Sequence, residues 1–445
     1  MVAGLILTDD ADFRMGHWIP RSRKVAIDGH SKIEINNRGT TNFHRSTGFM
    51  TWARFLSGQR VDFKPEWNFG VGGQTSKEIL ARLPATLAAC KAAGIGMLVA
   101  QMTINDRVST PLIRAPETIA NVAAYQAAVL AAGIVLVWLT DDPRGAAGFT
   151  AARISQPALG DSYAVREYLL NQKDVPGVYV IDTHEVLASK TSTTGDLAAD
   201  FYTYDGNHDS PQEGRLKGEI LARLFSRVYP PRSVLPTSNS DIYSSSNNPR
   251  GIRSTNPWAS GTAGTLGSGN SGTLPDSWTG QSVTSAGLAL TFSKPSATTS
   301  FNSIPYEDGF TRDNWVQMVL SGTAANSNNS NVLQIPVDQT KVNPGDVISA
   351  FAEIEIDSMT GLRGFNMFLW DTTSNTRVAG DFENFDADTP NQAVPWLNKP
   401  ARGIMKTTDL VVANTTLQIR FLVAPITGGG AVSMTVRMRG VGAIN

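Results

Sequence analysis

Cysteine is all but missing. Cys90 is the only one in 445 residues, which excludes an intrachain disulfide and leaves no cysteine pair for a zinc site. It falls in an apolar helical pattern and reads as a small buried residue rather than a nucleophile. Charge is scarce too. Asp, Glu, Lys and Arg make up 17% of the chain and the formal net charge is −1, so no bulk electrostatic attraction to nucleic acid is expected. Long apolar runs are absent, and with them any predicted membrane-spanning helix. The start, Met1 to Leu7, lacks the basic stretch of a secretion signal and soon meets Asp9 and Asp10. His17, His44 and His184 have no partner at metal-ligand spacing and read as surface or packing residues, so neither metal nor cofactor is expected. What the chain does have is length, enough for two or three cores.

Residues 1–23 read as an arm, with a short strand plausible at Gly4 to Thr8. From Lys24 a regular alternation begins. Val25-Ala26-Ile27 is a buried strand ending at Asp28-Gly29-His30-Ser31. Thr47 to Leu56 reads as a helix and Val61 to Trp67 as the next strand. After the glycine-rich turn Asn68 to Gly73, Ser76 is the expected N-cap of a helix that Gly94 stops. A strand over Met97 to Met102 closes at Thr103-Ile104-Asn105-Asp106. A helix from Pro116 to Ala132, a strand from Ile134 to Leu139, a helix near Ser162 to Gln172 and a strand at Val178 to Asp182 follow. The last helix, Pro211 to Val228, carries Leu216, Ile220, Leu221 and Leu224 on one face. This is the pattern of an α/β fold with a mainly parallel, five-stranded sheet covered on both sides. Ser31, Gly73 and Asn105 each follow a predicted strand, which puts them on the edge where such sheets bind ligands.

After Pro230-Pro231 the composition turns to Ser, Thr, Asn and Gly, read as a linker over 231–254. Beyond it the period becomes two. Ile348, Ala350, Ala352, Ile354 and Ile356 point one way, against Ser349, Phe351, Glu353 and Glu355. Leu417 to Val423 and Val432 to Met438 repeat the pattern, so 255–445 is expected to be an antiparallel β-sandwich, a jelly roll being the simplest form. Trp258, Trp278, Trp315, Trp370 and Trp396 are candidate sugar-stacking platforms, though in a sandwich such residues mostly pack.

The four blocks Asp28 to Ile33, Asn68 to Gly73, Thr103 to Asp106 and Asp205 to His208, in that order and after strands, resemble the SGNH (GDSL-type) hydrolases. That family is named for a serine, a glycine, an asparagine and a histidine in separate blocks, and the resemblance covers roughly residues 24–228. It implies Ser31 as nucleophile, His208 as its base and Asp205 as the group that orients the imidazole. It implies an oxyanion hole made by the backbone N–H groups of Ser31 and Gly73 and the side-chain amide of Asn105. Two positions depart from the family pattern. His30 stands where an acid is usual, either fixing the loop by a hydrogen bond or touching substrate, and Thr103-Ile104 replaces smaller residues. The Gly70 to Gly73 run lacks the neighbours of a phosphate loop, and Asp141, Asp142 and Asp182 read as loop caps.

The resemblance implies a carboxylic-ester hydrolase. The attached sandwich suggests a carbohydrate ester, most simply O-acetyl on a polysaccharide. A looser resemblance of Asn256 to Trp278 to jelly-roll modules of bacteriophage tail and virion proteins points to a tail-spike or tail-fibre deacetylase. Such a protein would sit on the virion as a homo-oligomer, a trimer among the candidates, and act on host capsule or lipopolysaccharide. The rival expectations are a secreted or cytoplasmic bacterial carbohydrate or lipid esterase, and a virion adhesin that keeps the fold without turnover.

Overall fold

Four short strands, Val25–Gly29, Met97–Gln101, Val135–Leu139 and Val178–Ile181, pair in chain order into one parallel sheet. The first three are buried at every residue, which explains why their sequences are continuous apolar runs rather than alternations. Between them run the helices Ser76–Ala93, Ala115–Ala131 and Gln156–Leu170, with Pro211–Val228 closing the unit. Parallel neighbours need such crossovers. Gly94 ends the first helix in the left-handed conformation, at φ 68°.

The structure is a computed structural model. It describes residues 20–37, 40–145, 148, 154–199, 202–232, 234–235, 238–283, 287–301, 314–326, 328–383, 400–426 and 430–444. Residues 1–19 of the arm expected over 1–23, with the strand expected at Gly4 to Thr8 and His17, lie outside them, as does Trp396.

The expected fifth strand is a correction. Residues 61–68 run beside the first strand but, among the described residues, pair with it only at isolated bridges, Lys24 with Asp62 and Ile27 with Asn68. Between those points Pro65 opens a 3-10 turn, Pro65–Trp67. Proline has no N–H to give a ladder, so the strand cannot form through it. Among the described residues the sheet has four strands.

The domain boundaries also differ from the expected 24–230, 231–254 and 255–445. One unit comprises Met1–Arg38, Gly48–Met50 and Arg60–Pro230; the other comprises Gly39–Thr47, Thr51–Gln59 and Pro231–Asn445. The strand Phe43–Arg45 pairs in parallel with Thr376–Glu383. Trp52 and Phe55 set their rings edge-on against Phe382, with centroids 4.8 and 5.3 Å away. The stretch expected as a linker is built into the second unit as well. The Arg253 N–H donates to the Ala443 carbonyl at 2.8 Å, and its guanidinium lies 3.8 Å from the centre of the Tyr243 ring.

Among the described residues the second unit holds two seven-stranded sheets, mostly antiparallel. One apolar core takes side chains from both, among them Phe292, Met318, Ile354 and Met434 from one sheet, and Met367, Ile419 and Phe421 from the other. Trp278 and Trp315 are fully buried, which removes them as sugar platforms. Trp370 is half-buried, and the guanidinium of Arg420 sits 4.3 Å over its ring.

Candidate active site

Ser31 lies where the first strand stops and a four-residue helical turn, Ser31–Glu34, begins. At a helix start the first N–H groups have no partner within the helix, and the Ser31 amide, first in this turn, is one of them. Gly29 makes the sharp exit possible: a Cβ there would fall 2.0 Å from the Gln101 carbonyl oxygen. His30 caps the turn, its Nδ1 accepting from the Lys32 N–H at 3.4 Å. The residue is completely buried, which fits the loop-fixing reading of it rather than contact with substrate. Burial first, and then the Lys32 charge, push its imidazole down to about 3, so the ring stays neutral. It holds the loop.

The second block is packed against that turn. Asn68 donates through Nδ2 to the carbonyls of Ile33 and Glu34 at 3.0 and 3.2 Å, capping its free end. The Val71 N–H donates to the Gly29 carbonyl at 3.0 Å. A Cβ on Gly72 would lie 2.7 Å from Glu34 Oε2 and 3.7 Å from the Ser31 Cβ, so this loop and the serine are immediate neighbours. Gly73 adopts φ +79° with open space where a side chain would be. Its backbone conformation, rather than crowding by the protein, calls for glycine.

Asn105 belongs to a 3-10 turn, Ile104–Arg107. Its amide donates to the Gln74 carbonyl at 2.9 Å, which orients the group and joins the third block to the second. Asp106 anchors the turn by accepting from the Ser76 N–H at 2.7 Å, the Ser76 hydroxyl at 2.6 Å and the Thr118 hydroxyl at 2.6 Å. Ser76 is therefore not the N-cap expected of it. Thr75 takes that position, in a capping box with Glu78. Arg82 spans the first two blocks, meeting Asp28 Oδ1 at 2.6 Å and Gln74 Oε1 at 2.6 Å.

The fourth block forms the pair anticipated for it. His208 Nδ1 is 2.6 Å from Asp205 Oδ2, and the other carboxylate oxygen accepts the His208 N–H at 2.7 Å. Burial raises the Asp205 carboxyl, but hydrogen bonds from the His208 ring and backbone outweigh it and bring it down to about 2. It is thus a carboxylate at any working pH. The Tyr204 ring stacks beside the imidazole at 5.8 Å. His208 Nε2 lies 3.4 Å from Asn207 Nδ2. Among the described residues the Ser31 hydroxyl makes no hydrogen bond, to His208 or to any other group.

One set of residues escaped the sequence reading. Lys32, Asp142, Asp209, Glu213 and Lys217 form a cluster whose side chains are at most 1% exposed. Asp142 is thereby an ion-pair partner rather than a loop cap, and Asp182 pairs with Arg166 besides capping Thr183–Leu187. The three carboxylates approach closely enough to suggest metal ligands, but the two ammonium groups already sit among them at 2.5–3.2 Å. A sequence signal existed. Glu213 and Lys217 share the helix face of Ile220, Leu221 and Leu224, spaced one turn apart.

No protein-family model and no curated protein matches this sequence. Solved structures similar to the N-terminal region include an acetyl xylan esterase, with 13% identity over 45% of this chain and 98% of that one, at a TM-score of 0.35. A GDSL-like lipase from Bacteroides thetaiotaomicron has 17% identity, 45% and 86% coverage, and a TM-score of 0.34. A variant of an acetyl-xylooligosaccharide esterase from Geobacillus has 18% identity, 49% and 99% coverage, and a TM-score of 0.34. Likeness at these scores carries no argument about chemistry, which rests on the residues.

Proposed function

We propose that the first unit is a serine-dependent carboxylic-ester hydrolase. The observation that carries this reading is the Asp205–His208 pair, 2.6 Å between ring nitrogen and carboxylate, in a loop whose next residue, Asp209, is bonded to the residue after Ser31. Ser31 Oγ attacks the acyl carbonyl while His208 Nε2 takes its proton, and Asp205 holds the Nδ1–H and stabilises the imidazolium. The tetrahedral oxyanion is met by the Ser31 and Gly73 backbone N–H groups and by the Asn105 amide hydrogen not given to Gln74. Collapse expels the alcohol, protonated by His208. Water deprotonated by the same imidazole then releases the acid. The missing Ser31–His208 hydrogen bond fits a free enzyme, in which such contacts are often long and tighten when substrate binds.

The substrate we infer is a short acyl ester, O-acetyl on a bacterial surface polysaccharide. On this reading the protein is an oligomeric bacteriophage tail deacetylase, with the second unit, a jelly-roll sandwich, holding glycan or assembling subunits. A cellular carbohydrate or lipid esterase would use the same residues. The unbonded Ser31 hydroxyl favours a second reading, a binding protein without turnover. One experiment decides between turnover and binding. Acetate release from O-acetylated polysaccharide, with p-nitrophenyl acetate as permissive substrate, is expected from the wild type and should fall by at least ~10⁴-fold in Ser31→Ala. A wild type that turns over neither substrate leaves the adhesin.

A further inference from the structure

Ser31 and His208 come from opposite ends of the unit, and no bond joins them directly among the described residues. Their next neighbours, however, are locked together. Lys32, one peptide beyond Ser31, reaches Asp209, one peptide beyond His208, at 2.9 Å. The same ammonium meets Glu213 at 3.0 Å and Asp142 at 3.2 Å, so its three donors face three carboxyl groups. Asp209 is equally constrained. Its Oδ1 faces Lys32 and its Oδ2 faces Lys217 at 2.6 Å, which leaves the carboxylate no freedom to turn. Upstream, the His208 loop is held by the Gly145 N–H, which donates to the Gly206 carbonyl at 2.6 Å.

A buried ion pair is a poor way to gain stability, since apolar residues of the same volume often do as well or better. What it supplies is direction and distance. We propose that the buried Lys32–Asp209 pair holds the Ser31 hydroxyl and the His208 imidazole in register, making Lys32 and Asp209 positioning residues for the hydrolysis. The inference rests on the esterase reading above. Neither side chain reaches the substrate; each acts through its covalent neighbour. Misplacing a reacting group by about 1 Å can cost on the order of 100-fold in rate, so the effect belongs in kcat rather than in substrate binding.

The test uses the full chain with Lys32→Met, Asp209→Asn and the double variant, assayed on p-nitrophenyl acetate. Labelling of Ser31 by a fluorophosphonate is followed in parallel, and near-UV circular dichroism selects the folded variants. Asp209→Asn keeps the shape and one carbonyl acceptor. The double variant removes one charge of each sign and leaves Lys217 with Asp142 and Glu213, so either can stand in if Lys32→Met fails to fold. Each folded variant is expected to lose roughly 100-fold in kcat with KM changed less than about threefold, and labelling should slow in step. The double variant should lose no more than the worse single one, because the two residues act as a unit. Folded variants that keep kcat within about threefold of the wild type, or lose it only through KM, overturn the proposal while the esterase reading stands. A wild type that neither turns over ester nor labels at Ser31 overturns both.

Discussion

The two units bury charge in different ways. In the second unit Glu353 and Glu355 lie on one strand, Val347–Thr360, and their partners lie directly across the ladder. Glu353 pairs with Arg439 and Glu355 with Arg437 in register, at 2.6 and 3.7 Å, and Arg402 on the other neighbour reaches both. There the backbone hydrogen bonds set the geometry and the charges fill positions already determined. In the first unit Lys32, Asp142 and Asp209 sit on a single helical turn and on loops, where the backbone pairing is at most one isolated bridge, Thr203 with Asp209. The ion pairs themselves join the segments. The same chemistry decorates one scaffold and ties the other together.

Three substitutions sharpen this contrast. Phe421→Ala, in the shared core of the two sheets, is expected to cost about 3–5 kcal/mol of unfolding free energy in a urea titration, while ester turnover at temperatures where the protein is folded stays unchanged. Asn105→Ala should do the reverse. It is expected to raise the barrier by about 3–4 kcal/mol, a 10²- to 10³-fold loss of kcat, while the lost bond to Gln74 costs only about 1 kcal/mol of stability. The third substitution concerns pH. Burial, and after it the Asp209 charge, push the Glu213 carboxyl up from 4.5 to about 8. The folded chain therefore keeps a proton that the unfolded chain releases. Glu213's contribution to stability is whole below pH 4.5 and is lost as pH rises through 8. Glu213→Gln should flatten the decline in unfolding free energy measured at pH 5, 7 and 9. An unaltered slope would remove Glu213 as its source.

Local features were legible in the sequence. The buried strands at Val25, Met97 and Val135, the stop at Gly94 and the Asp205–His208 pair all follow from residues within a few positions of one another. The alternation from Ile348 to Ile356 correctly gives the inward face. It could not reveal that Glu353 and Glu355 are buried too, because Arg402 and Arg439 lie 49 and 86 residues from Glu353. Lys32 is harder still, since its partner Asp209 is 177 residues away. The strand predicted over Val61 to Trp67 was apolar enough, and Pro65 alone was the local sign against it. His30 left two readings open, a loop-fixing hydrogen bond or contact with substrate, and only its burial, set by distant segments, separates them.

The stretch from Gly39 to Gln59 carries a consequence for synthesis. The Asn42 carbonyl accepts a hydrogen bond from the Thr408 hydroxyl, 366 residues later. At about 5–20 residues per second, a ribosome delivers that partner roughly 20–70 s after Asn42. Through that interval Phe43, Trp52 and Phe55 have no sheet to join, and the nascent chain must carry them through completion of the first unit. A gene cut after Pro230 would never reunite them. The 231–445 fragment would emerge with the edge of Thr376–Glu383 bare and Phe382 without the two rings that cover it.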